Sequence, residues 1–197
     1  MNKTDLAALV LETVRRPADA ARRILGWRIE RPVLWMGFAL TVVLNTLLFH
    51  VTSLIYPVPS GAIAVPALFS SPFLYAAVKG AGLLLMALVL TRIGARLGGV
   101  GRFEDVLTLL VWLEMLRLAA QVVVLVLMGV LPAFAVALVT MAIGLLSLWI
   151  LMNFINAVHG FDSLGRSYLA LVLTILGLIV VLSMLLAVFG GLSMEVS

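Results

Sequence analysis

A chain of 197 residues that is 64% apolar and only 11% charged, with a mean hydropathy of +1.25, lies far outside the composition of a water-soluble domain. It has room for five or six membrane-spanning helices and for no sizeable soluble domain. Having no cysteine, it forms no disulfide and does no thiolate chemistry, and its two histidines, His50 and His159, lie too far apart for metal-ligand spacing, so no cofactor or metal is expected.

The N-terminal segment 1–31 is charged, and its longest apolar run, Leu6 to Leu11, is too short for the core of a cleavable signal. The first span is therefore expected to stay as a signal anchor. Pro17 suits the first turn of a helix better than its interior, which predicts one short helix from Thr4 to about Arg15 and another from about Ala18 to Trp27. In the second, Asp19 can pair with Arg22 and Arg23, while Ala20, Ile24 and Trp27 form an apolar stripe suited to the membrane interface.

Five long apolar stretches follow, over about 33–55, 72–90, 106–131, 133–153 and 167–189, within a membrane domain 32–192 and ahead of a short tail 193–197. The fold class read from this pattern is all-α, a polytopic membrane helical bundle of five transmembrane helices preceded by amphipathic interfacial N-terminal helices.

Charge alternates along the connections. Lys3, Arg15, Arg16, Arg22, Arg23, Arg28 and Arg31 precede the first span, whereas Tyr56–Ser71 carries no charge. Arg92, Arg96 and Arg102 mark the second connection, the turn at Leu131–Pro132 is uncharged, and Asp162 and Arg166 lie in the fourth. The positive-inside bias thus predicts a cytoplasmic N-terminus and a C-terminus on the opposite side. The formal net charge of +4 does not indicate nucleic acid, because the basic residues gather beside apolar runs. It indicates the lipid bilayer and anionic lipid at the cytoplasmic face, where Arg15, Arg16, Arg22, Arg23, Arg92, Arg96 and Arg102 are the candidate lipid or partner face.

Two connections stand out. Residues 56–72 are uncharged and hold Pro57, Pro59, Pro66 and Pro72, so they form either a membrane-hugging spacer or a gate lining a cavity. Gly129 and Pro132 make a tight hairpin between the third and fourth spans.

Inside the spans, Lys79, Glu114 and Arg117 need explaining, since a charge at the bilayer centre costs about 2.5–3.5 kcal/mol on insertion scales. Glu114 and Arg117 share a helical face, which Gln121 extends. Counting at about 1.5 Å per residue from the outer ends leaves Lys79 roughly 15 Å from Glu114, so Lys79 is expected to snorkel outward or to meet the proline-rich connection. Glu114, Arg117, Gln121 and Lys79 form the candidate intramembrane polar site, either a pair locking helix packing or a substrate, lipid or proton site. Mid-span Asn45 poses the same choice. Asn153, Asn156 and His159 are a candidate inner vestibule, with interfacial capping as the alternative.

The Gly94–Gly98 and Ala76–Gly80 spacings allow close helix approach. No nucleophile elbow, HExxH or phosphate loop is present, and the acidic pair Glu104–Asp105 complements a helix N-terminus, so no enzyme is expected.

The segment Gly98–Leu107, GGVGRFEDVL, the long span containing Trp112, and Asn153–Leu164, NFINAVHGFDSL, resemble the bacterial branch of the Yip membrane protein family. The resemblance implies five spans and a cytoplasmic N-terminus, and together with the charge distribution it points to a non-catalytic role in organising membrane lipid or partner proteins. The family's eukaryotic DLYGP motif is absent, so Rab binding is not carried over, and the short N-terminal region fits a bacterial inner-membrane protein. A homo-oligomer or a membrane-protein partner is the further expectation. The second reading is a small transporter, channel or lipid translocator built around Glu114 and Arg117.

Overall fold

Prolines set where the helices begin. Pro17 opens α2 (Pro17–Gly26) behind α1 (Lys3–Arg15), Pro32 lies in the first turn of α3 (Arg31–Ile55), Pro72 opens α4 (Pro72–Arg96), and Pro132 caps α6 (Ala133–His159). α5 (Phe103–Met128) begins with Glu104 and Asp105 in its first turn, and α7 (Leu164–Met194) closes the chain. This computed structural model describes residues 3–57 and 71–194, with side chains between positions 5 and 184. Most of the proline-rich connection 56–72 therefore lies outside the described residues, which form helices and no strands.

Five of these helices are long and apolar enough to cross a membrane: α3, α4, α5, α6 and α7. α4 and α6 run several residues past the apolar stretches, through Arg96 and to His159, because nothing breaks the helix until a glycine ends it. After α4, Gly98 takes φ +86°, its N–H donates to Ala95 O and the Gly99 N–H donates to Gly94 O at 2.8 Å, a Schellman ending. After α6, Gly160 takes φ +66° and the Phe161 N–H returns to Asn156 O. Gly98 thus supplies a turn, not a helix-packing face. Gly80 does serve the expected close approach, facing Phe38 and Val42 of α3 at ordinary contact distance.

α5 is the hub, packing against α2, α3, α4 and α6, while α7 packs on α4 and α6. α3 and α6 both lean on α5 but hardly on each other. Burial along the hub is uneven. On α5, Val106–Val111, Leu113 and Glu114 are buried and nothing beyond them is. On α6, buried residues begin only at Ile150 and include Asn153–Ile155, Val158 and His159. The bundle is tightly packed at the end carrying the arginines and splayed at the other.

The short N-terminal helices explain part of this. Ala20, Ala21 and Ile24 of α2 are at most 1% exposed against α5 and α6, so the stripe expected to meet lipid is covered by protein, and only Trp27 stays exposed. An apolar face gains the same desolvation from either neighbour, and the bundle end is nearer. Trp112 Nε1–H donates to Thr13 Oγ1 at 3.2 Å, fixing α1 to α5. Asp19 pairs with Arg22 as expected, but Arg23 reaches back to Glu12 of α1 at 2.9 Å.

Candidate functional site

The three charges inside the spans form one cluster. Lys79 Nζ donates to Glu114 Oε2 at 2.9 Å, and Arg117 Nη1 donates to Glu114 Oε1 at 3.1 Å. The expectation that Lys79 lies too far from Glu114 is overturned, because the helix ends are not level. A Cβ on Gly129 would lie 3.3 Å from Tyr56 Oη, so α3 and α5 end at one height. Phe49 lies about 10 Å below Tyr56 along α3. Tyr75 stacks on Phe49 with ring centroids 4.4 Å apart, so α4 starts well inside the bundle. Lys79, one turn further, then sits about 16 Å below Gly129 and Glu114 about 22 Å below it. The remaining gap of roughly 6 Å is within reach of a lysine stem.

Two cations share one carboxylate, and they are unequally covered. Glu114 has a side-chain exposure of 10%, Lys79 of 28% and Arg117 of 46%. Arg117 opens into a cleft of about 330 Å³ between α3 and α6, with α5 as its floor. Its polar lining includes Asn45, Tyr75, Gln121, Thr140 and Ser147, and its apolar walls include Leu48, Val124, Leu125 and Ile143. The structure thus brings Arg117, Gln121 and Asn45 to one space, although Asn45 also donates to Thr41 O of its own helix at 2.9 Å.

The candidate vestibule is closed, which corrects that reading. His159 is 1% exposed, and its ring is seated among glycines at the end of α4 and in the α4–α5 connection. A Cβ at Gly94 would lie 2.0 Å from His159 Nε2, and one at Gly99 would lie 2.6 Å from His159 Cβ. Phe161 stacks on the imidazole at 5.2 Å, and the Val100 N–H donates to His159 O at 3.1 Å. Asn153 is buried and donates to Trp149 O at 2.9 Å, and Asn156 is half-buried with its carbonyl capping the helix end. His159 knits α6 to the end of α4 and the α4–α5 connection, while the two asparagines bond at the end of their own helix.

At the same end, Arg15, Arg16, Arg92, Arg96 and Arg102 are exposed and form no ion pair among the described residues. Arg22 and Arg23 are exposed but paired. Arg28 and Arg31, which the sequence places only in the topology signal, join Arg102 around a recess of about 540 Å³ also lined by Glu104 and Asp105. Arg31 pairs with Glu104 at 2.6 Å, tying the starts of α3 and α5 together. Arg28 has φ +47° at the α2–α3 junction, and no sequence signal marks a non-glycine residue for that conformation.

The family model described as the Yip1 domain matches residues 11–185, a range that includes α2 to α6 whole. Comparisons with curated proteins and with solved structures return no match.

Proposed function

The chain belongs to the Yip1 domain family and is a multi-pass membrane protein, and from that premise we propose that it organises anionic lipid or partner proteins without catalysis. The site of this role is the arginine-bearing end, facing the cytoplasm of a bacterial inner membrane, with the C-terminus on the other side.

One observation carries the reading: Arg15, Arg16, Arg92, Arg96 and Arg102 are exposed at one end of the bundle and form no ion pair among the described residues. Each such cation near an anionic leaflet contributes about 1 kcal/mol of attraction. Docking α1 and α2 onto the bundle presents Arg15 and Arg16 as a fixed surface and not on a tether. A passage across the membrane past Glu114 and Arg117 draws less support, since the cleft stops at Arg117 and the residues from Val106 to Val111 beyond it are buried.

The test is energy transfer from the protein's tryptophans to a fluorophore-labelled phosphatidylglycerol in proteoliposomes. Changing Arg15, Arg16, Arg92, Arg96 and Arg102 to Gln should lower the enrichment of the labelled lipid, and added salt should weaken it in the unaltered protein. Equal transfer in both proteins would remove the reading's support.

A further inference from the structure

We infer that the cleft between α3 and α6 is a binding site for the headgroup of one anionic phospholipid, entered from the leaflet at the uncharged end. The site is separate from the arginine-bearing end and does not depend on the role proposed for it.

Among the described residues Arg117 has one ion-pair partner, the Glu114 carboxylate, and shares it with Lys79, so the cluster keeps one positive charge that its own residues do not balance. The guanidinium is the most exposed member and the only one that lines the cleft. It lies about 17 Å from the Met128 end of α5, a depth at which an unbalanced charge calls for a counter-anion. A guanidinium still has donors free after one bond to Glu114, in the fork that suits phosphate. Gln121 stands one turn further along the same face, and Ser147 and Thr140 on the α6 wall add polar groups.

The choice of a lipid over a dissolved anion rests on the walls and the side opening. The cleft volume of about 330 Å³ suits a headgroup and not a whole lipid. Because α3 and α6 hardly touch, the cleft is open between them along Leu48 of α3 and Ile143 of α6, and acyl chains can leave it sideways there. Below Arg117 the packed half of α5 closes the space, so the headgroup enters from one leaflet only.

The test uses the full chain in phosphatidylcholine nanodiscs containing a minor fraction of phosphatidylglycerol, with native mass spectrometry counting the lipid that stays bound. Gly144 lines the cleft, and a Cβ there meets nothing within 4 Å, so Gly144→Phe can place its ring in that space. The unaltered protein should retain one phosphatidylglycerol in preference to phosphatidylcholine. Arg117→Gln and Gly144→Phe should each weaken that retention about tenfold, the loss of roughly one charge-assisted contact, while Arg96→Gln with Arg102→Gln leaves it unchanged. Full retention by Gly144→Phe would overturn the inference. So would equal retention of the neutral lipid, displacement by inorganic phosphate alone, or cross-linking from Thr140 to a second copy of the chain in place of lipid.

Discussion

Two glycines, one in each half of the bundle, show how differently the halves are built. Gly94, near the arginine-bearing end, is buried where a single added methyl would lie 2.0 Å from the His159 ring. Gly144, in the splayed half, is exposed and has nothing within 4 Å of the same methyl. Both sit in long apolar helices. The charged end draws its stability from protein packing, with α1 and α2 sealing α5 and α6 from below. The uncharged end leaves polar side chains on a cleft that faces the bilayer.

The ion cluster marks the boundary, and breaking it should have the largest effect. Glu114 is the last buried residue of α5 toward the splayed half, and its carboxylate holds both cations. Glu114→Ala would leave Lys79 and Arg117 facing each other at membrane depth without a counter-charge. The expected loss is about 3–5 kcal/mol, the usual result of removing one partner from a buried pair. Thermal unfolding in detergent reads it, and adding Lys79→Met to Glu114→Ala should recover part of the loss. An unchanged melting temperature for Glu114→Ala would mean that water or lipid already balances the cations, and the boundary would not be structural.

Next in size is Gly94→Ala, which drives a methyl into a buried imidazole and should cost about 1–3 kcal/mol, as overpacking does. The two positions are coupled through that contact. In a double-mutant cycle, Gly94→Ala should cost little once His159 is already Ala. A full cost in the His159→Ala background would show that the strain lies elsewhere, in the Schellman ending at Gly98 and Gly99.

The sequence made the spans and the N-terminal helices legible because span length is a one-dimensional property: about 20 apolar residues between charged or proline-bearing connections. The resemblance in GGVGRFEDVL and NFINAVHGFDSL was legible too, and the family match agrees with it. Which half of each helix is packed was not legible, since Val122 to Leu127 is at least as apolar as Val106 to Val111, and uniform hydropathy carries no facing signal. The Lys79–Glu114 bond was hidden for another reason. Depth counted from helix ends assumes level ends, and α4 begins about 6 Å inside the bundle, since Tyr75, three residues past Pro72, stacks on Phe49. His159 and Gly94 are far apart in sequence, and of the Gly94–Gly98 pair read as a helix-packing motif, Gly94 provides room for the imidazole while Gly98 supplies the turn.

The smallest effect is the most informative about the splayed half. Gly144→Ala adds a methyl in open space and replaces the poorer helix former, so it should leave the protein unharmed or stabilise it by up to about 1 kcal/mol. It is the same chemical change as Gly94→Ala with the packing removed, and the difference between their melting temperatures measures the contrast between the halves. If Gly144→Ala were as damaging as Gly94→Ala, α6 would have a neighbour at that height in the membrane. A loss that grows on dilution of the protein would identify that neighbour as a second copy of the chain. A loss that disappears when phosphatidylglycerol is removed would identify it as bound lipid.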